Sequence, residues 1–262
     1  MALTYSQNKY TIPRGRVFFS PINTATDEYL GELYMGNCPS LGLSIETEKA
    51  EHYSSETGLR EKDASVVLEV KRTGSLTCDN MSGTNVALFL SGSTGTITQA
   101  GASVTDEVID VIPGRYYQLG LGASTPVGAR KVSAVVVTNS AGTTTYVAGT
   151  DYMLDADRGR LQILATGTIV AGEIKVDYTK AATTWEGIRS GAAGELLGAL
   201  RIVSDNATGD QRDFYMPRVS LVPSGEIPVI AEGTDFAQMT FDADVLKPAN
   251  GEAIYVDGMP LA

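Results

Sequence analysis

Apolar and polar positions along this chain alternate mostly with a period of two, in short runs broken by glycine, proline and asparagine. That is the pattern of half-buried strands. Gly15–Ser20 is one run and Tyr29–Gly36 a second. Leu43–Glu46 is a short third, and Ser65–Lys71 a longer fourth rich in β-branched residues. Between the last two lies Glu46–Asp63, with charge of both signs, one aromatic and too few apolar residues to pack alone. Ordinary hairpin connections are about two to five residues. A connection this long predicts a functional loop: a projecting arm that orders against another copy of the chain.

Arg72–Cys78 continues the fourth strand past Gly74, a bulge signal. Asp79–Asn85 is rich in capping residues, Val86–Leu90 is compact and apolar, and Gly92 follows. This predicts a short helix from Ser82 to Leu90, seated on a sheet. Thr94–Gln99, Glu107–Ile112 and Arg115–Leu119 read as strands, and Gly120–Pro126 as a linker. From Lys131 to Lys180 five short strands follow in quick succession. The last, Glu173–Tyr178, places Ile174, Val176 and Tyr178 inward. Beyond it, Leu200 and Ile202 mark a strand over Glu195–Val203, whose first residues could instead begin a helical turn. Phe214–Leu221 is a strand carrying Pro217, which predicts an edge position or a bulge. Phe236–Val245 alternates regularly.

The expected fold is mainly β with one short flanking helix. Its expected parts are an N-terminal arm (1–14), a first β segment with the long 46–63 hairpin loop (15–122), an inserted or decorating β subdomain (123–181), a second β segment (182–248) and a C-terminal arm (249–262).

Composition narrows the function. A chain of 262 residues, 43% hydrophobic, buries a real core. Its net charge of −11 argues against gripping nucleic acid through phosphates, which needs clustered Lys and Arg. It leaves room for DNA that passes without sticking. No secretory apolar region opens the sequence and no apolar run is long enough to cross a bilayer. Cys38 and Cys78 read as two free thiols rather than a disulfide framework.

Catalytic chemistry is thin. His52, the single histidine, sits in the charged span with no nucleophile elbow elsewhere, so it reads as a solvated or interface residue. Asp155-Ala-Asp157-Arg-Gly159 has the start of a calcium loop, but Thr166 stands where the closing glutamate belongs. Ser6 to Lys9 and Ser204–Asn206 match two elements of the penicillin-recognising enzymes, and the third is missing. Asp242 and Asp244 share one side of a strand. They are the wet face of a half-buried sheet or, on a rival reading, a hydrolase carboxylate pair. No catalytic residue, metal ligand or cofactor is expected.

The order and phrasing of the segments resemble a family. A strand pair over Tyr29–Ile45 leads into the long charged span and returns through Ala64–Val70, with the helix Ser82–Leu90 directly after. Late in the chain come Leu200–Asn206, Asp213–Gly225 and Phe236–Lys247. Across Gly15–Gly120 and Thr183–Pro248 the chain resembles a major tail tube protein of a long-tailed bacteriophage. The resemblance implies a tail-tube-type β-sandwich or barrel flanked by a helix, a structural virion protein rather than an enzyme. Six copies would form a ring, and stacked rings a hollow tube delivering DNA. Assembly would occur in the host bacterial cytoplasm, with tape-measure, tail terminator and tail-tip proteins as partners and no membrane insertion.

On that reading Glu46, Glu48, Lys49, Glu51, His52, Tyr53, Glu56, Arg60, Glu61 and Lys62 would carry ring stacking. Glu69, Asp242 and Asp244 are the acidic candidates for the lumen. The segment Lys131–Lys180 is not part of the minimal family pattern and would decorate the outside. A rival from another class is a β-rich carbohydrate or cell-surface binding module, which predicts exposed aromatics clustered at Tyr146, Tyr152 and Tyr178.

Overall fold

The computed structural model describes residues 8–56, 58–191 and 196–257, and it is mainly β with one short helix. In chain order the first elements are β1 (Gly15–Asn23), β2 (Glu28–Tyr29), β3 (Leu33–Tyr34), β4 (Ser40–Ser54), β5 (Glu61–Cys78) and α1 (Gly83–Phe89). Next are β6 (Ser93–Gln99), β7 (Ala102–Val111), β8 (Tyr116–Gln118), β9 (Val132–Asn139), β10 (Thr145–Tyr146), β11 (Tyr152–Asp155), β12 (Arg160–Ile163) and β13 (Gly172–Lys180). The last are β14 (Thr183–Arg189), β15 (Leu196–Ser204), β16 (Phe214–Ser224), β17 (Met239–Val245) and β18 (Tyr255–Val256).

Two compact units divide the chain: one runs to Thr94 and resumes at Ile188, and the other is Gly95–Gly187. The inserted unit is therefore larger than the expected 123–181. Residues 95–122, read from sequence as part of the first segment, supply β7 and β8 to its two sheets. Their alternation was legible; which core it served was not, because alternation does not name a partner. The chain crosses between units in β6 and β14, which pair with each other.

In the first unit one antiparallel sheet runs β2-β1-β15-β16-β17-β5-β4, with β3 beside β1 and β18 beside β16. Alternation in β17 explains how it is used. Met239, Phe241, Ala243 and Val245 are buried, while Asp242 and Asp244 face out. The core on the inward face joins Val17, Phe19, Leu76, Leu200, Met216 and Leu221 to the helix residues Leu88 and Phe89. Phe89 meets the edge of Phe241 with ring centroids 5.8 Å apart.

A seven-residue helix does not stand alone in water, and α1 is held at both ends. Ser82 Oγ accepts the Asn85 amide. Asn85, almost fully buried, donates to the Met35 and Asn80 carbonyls at 2.8 and 2.9 Å. At the far end Ser91 adopts φ 47°, its N–H bonds the Leu88 carbonyl, and Gly92 N–H bonds that of Ala87. This is the paired 6→1 and 5→2 closure of a helix C-terminus. Ser91, not Gly92, takes the left-handed position. Gly92 is needed because a Cβ there would collide with the Arg189 carbonyl.

Three expectations are corrected here, and the one for Pro217 is met. Glu46–Asp63 is not a loop: β4 and β5 stay paired out to Ser54 and Glu61, and the connection is only residues 55–60. Backbone pairing needs no apolar side chain, so a charged span can continue a ladder. Pro217 lies at a bulge, one of the two positions expected for it, within an interior strand: Gly198 faces Val219, and Leu200 faces Met216. The described part of the C-terminal arm is tied down, with Tyr255 and Val256 paired to Tyr215 and Phe214, and Ala253 buried. The described part of the N-terminal arm is likewise anchored, by Ile12 bridging Thr208 and by Lys9 paired with Asp210 at 3.0 Å. Residues 1–7 and 258–262, and Glu195 at the expected start of β15, lie outside the described residues.

The second unit is a small sandwich of two antiparallel sheets, β10-β9-β13-β7 and β11-β12-β8. Val111, Val137, Leu161, Ile163, Ile174 and Val176 from both sheets share one core. Ile174, Val176 and Tyr178 face inward as the alternation of β13 requires.

Candidate assembly surfaces

The β4–β5 hairpin outruns the core. The last rung shared with β17 is Thr73, opposite Asp244 on one side and Ser44 on the other. Beyond it only two strands remain, from Ser44 to Ser54 and back from Glu61. At about 3.3 Å per residue this ribbon is roughly 33 Å long. On the side that continues the core face from Leu41 and Leu76, it carries Leu43, Ile45, Val70 and Val67, all exposed. An isolated two-stranded hairpin is marginal in water, and among the described residues this strip of apolar side chains is left exposed.

The residues expected to carry stacking are strung along the ribbon and its turn rather than gathered at one point. Lys62 is ion-paired with Glu51, which also accepts the Tyr53 hydroxyl at 2.9 Å. Lys62 first, then Tyr53, hold the Glu51 carboxyl below the usual carboxylate range. His52 Nδ1 lies 2.6 Å from Asp63 Oδ1, and the Arg60 guanidinium sits 4.9 Å over the Tyr53 ring. Glu61 faces Ser54, and the Glu56 amide reaches Ser54 Oγ at 3.4 Å. Glu46 faces Lys71 and Lys49 faces Val67. Glu48 lies directly opposite Glu69, a like-charge pair that costs stability unless something cationic answers it.

The opposite face of the sheet has a different character. Its rungs read Ser44, Thr73, Asp244, Ser220; then Gly42, Ser75, Asp242, Val222; then Ser40, Thr77, Thr240, Ser224. Small hydroxyl side chains and two carboxylates pave it, and these rungs hold no Lys or Arg. Asp242 and Asp244 are thus neighbours on one face. Glu69 lies on that side too, four residues beyond Thr73 along β5, about 13 Å away.

The family model described as protein of unknown function UCP028589 matches residues 10–252. This chain belongs to that family. No curated protein matches it.

Three features of this UCP028589 chain escaped the sequence reading. The apolar strip is written in plain alternation, Leu43-Ser-Ile45, but its exposure depends on where β17 stops. The paved face joins residues from four strands that no local window connects. Cys38 and Cys78, forty positions apart, have their sulfurs 3.0 Å from each other. The exposed tyrosine cluster is corrected: Tyr152 and Tyr178 are buried in the second unit's core, where their rings fill space between the sheets. The exposed ring is instead Tyr116, with Arg160 5.4 Å above it, beside a shallow depression of about 250 Å³ lined also by Met153, Asp155 and Gln162. Among the described residues no group of three His, Cys, Asp or Glu side chains is placed to hold a metal ion.

Proposed function

We propose that this protein is a self-assembling structural subunit, the tail tube protein of a long-tailed phage, whose rings stack into a hollow conduit for DNA. The observation that carries the reading is the β4–β5 ribbon: about 33 Å of paired strand beyond the core, with Leu43, Ile45, Val70 and Val67 exposed along one side. A second copy of the chain covers that strip and stabilises the ribbon. Rings of six use the sheet edges at β4 and at β2 and β3 for lateral joining, which removes the unpaired edges. Head-to-tail stacking of such rings gives an open filament.

The paved face supports the same reading. A lumen that passes DNA needs side chains that do not grip phosphate. The rungs through Asp242 and Asp244 carry hydroxyls, carboxylates and Val222, and farther along the same side Lys71 stands opposite Glu46 and is followed by Glu69. The second unit decorates the tube. The protein acts passively: it polymerises around a length-setting partner and conducts DNA without binding it specifically.

The test is a register-preserving truncation. Glu46 and Lys71 face each other, so a two-residue turn in place of residues 47–70 closes the hairpin at that rung. The parent should form rings or hollow tubes by negative-stain electron microscopy across a concentration series. The truncated protein should stay folded and soluble by size-exclusion chromatography and circular dichroism, yet form no tubes. Tubes of normal length from the truncation would refute the proposal.

A further inference from the structure

We infer that Cys38 and Cys78 are the two halves of a latent cross-strand disulfide, closed by reaction with a low-molecular-weight disulfide such as glutathione disulfide. The inference is independent of the assembly reading. Cys78 ends β5, and Cys38 lies just ahead of β4. The Asp79 amide donates to the Asn37 carbonyl at 3.2 Å, and Asn37 Nδ2 reaches Asp79 Oδ2 at 2.6 Å. This backbone bond and the side-chain bond draw residues 37 and 79 together, so the adjoining Cys38 and Cys78 lie side by side. Residues that neighbour each other across antiparallel strands have Cα atoms about 4.5–5.5 Å apart, inside the range a disulfide spans. The sulfurs already touch at 3.0 Å. Neither strand has to move far for the bond to form.

The surroundings set how the reaction runs. Cys78 is fully buried and Cys38 only partly, so the oxidant enters at Cys38. The contact with Cys78, then burial, push the Cys38 thiol well above its ordinary range. Reaction at neutral pH is therefore slow and speeds up as pH rises, because the thiolate is the nucleophile. Cys38 loses its proton and attacks one sulfur of the glutathione disulfide, forming a mixed disulfide and releasing one glutathione thiolate, which takes up a proton. Deprotonated Cys78 then attacks Cys38 Sγ, forming the Cys38–Cys78 bond and releasing the second glutathione. The protein loses two hydrogens, and one glutathione disulfide becomes two thiols. The product closes a covalent ring around all of β4 and β5 at the root of the hairpin.

The experiment uses the native full-length chain, incubated with excess glutathione disulfide at mildly alkaline pH and followed by intact mass. The expected result is loss of two hydrogens' mass, a single peptide linking Cys38 to Cys78, reversal by dithiothreitol, and a thermal midpoint higher by on the order of 10 °C. The variant Cys38→Ser, which replaces the more exposed partner, should show neither the mass loss nor the shift. An unchanged mass would overturn the inference. So would a persistent adduct of one glutathione, or a link that forms only after the chain is unfolded in denaturant.

Discussion

Ile45 and Val70 give the sharpest test of how the hairpin works. They lie on the same side of the ribbon, on adjacent rungs, with Ile45 facing Arg72 and Val70 facing Thr47. Ile45 is 62% exposed and Val70 43%, so together they leave about one whole apolar side chain uncovered. Covering that much surface stabilises a contact by about 2 kcal/mol. The double variant Ile45→Thr, Val70→Thr keeps β-branching and strand propensity while placing a hydroxyl where the apolar surface was. Within the subunit the change should be nearly silent, within about 0.5 kcal/mol, because both sites are exposed. At the contact between copies it should cost about 2 kcal/mol or more, since each hydroxyl must also be desolvated. That is at least roughly thirtyfold in the concentration at which tubes appear. Pelleting across a dilution series measures the threshold, and thermal unfolding of the unassembled protein checks that the subunit is intact. An unchanged threshold with an unchanged subunit would refute the claim that this strip is covered in the assembly.

Other consequences follow from single positions. Gly198→Ala in β15 would bring a Cβ to 2.5 Å from both the Phe19 ring and the Ser20 carbonyl, and overpacking of this kind should cost about 1–3 kcal/mol in chemical denaturation. Asp151 accepts from the Val147 amide, then from the amide and hydroxyl of Thr168, which hold its carboxyl below the usual carboxylate range. A depressed folded-state value gives stability that is complete above the unfolded value, about 3.9, and lost as pH falls through the folded value. Asp151→Asn should therefore destabilise the second unit at neutral pH and flatten its loss of stability at acid pH, read by thermal melts across that range; an acid limb as steep as the parent's would count against it. Gly187 lies against Ile97, with the Gly95 carbonyl beside it, where β6 and β14 pair. Joining Thr94 to Ile188 with a short turn in place of the second unit should leave a folded first unit that still forms tubes in electron micrographs.

The parts of the fold that were legible in sequence are those decided locally. The helix could be read because Ser82, a compact apolar run and Gly92 lie within eleven residues, and the structure uses them as cap, buried face and exit. The inward sets of β13 and β17 could be read because alternation is a property of one strand. What failed was whatever depends on a neighbour. The charged span became strand because β4 and β5 satisfy each other's backbone, a pairing that composition does not announce. Pro217, expected at an edge or a bulge, sits at the bulge: it and Arg218 stand against the single residue Ala199, which relieves the ladder inside the sheet. The charged residues expected at the contact do lie on the hairpin, and Ile45, Val67 and Val70 do lie in strands, but alternation alone does not show that these three are exposed, because exposure is a fact of tertiary structure.

Charge and apolar surface on the hairpin serve opposite needs of one molecule. A fifteen-residue edge strand with a bare apolar side invites indiscriminate pairing. On β4, Glu46, Glu48, Lys49 and Glu51 interrupt the apolar positions, and on β5 Lys62, Glu69, Lys71 and Arg72 do the same. A copy that approaches out of register buries a charge against Ile45 or Val70, at a cost larger than the roughly 2 kcal/mol those two side chains return. A copy in register can cover the strip while Glu48 and Glu69, on the opposite face of the ribbon, stay in solvent. On the proposed assembly, the charges would weaken every contact but one, and the apolar strip would supply the attraction for that one. The balance predicts a salt signature. Screening should relax the choice of partner before it abolishes association, so tubes grown at high ionic strength should be irregular rather than absent. Tubes that vanish cleanly with added salt while the subunit stays folded would instead make charge, not the apolar strip, the source of the attraction.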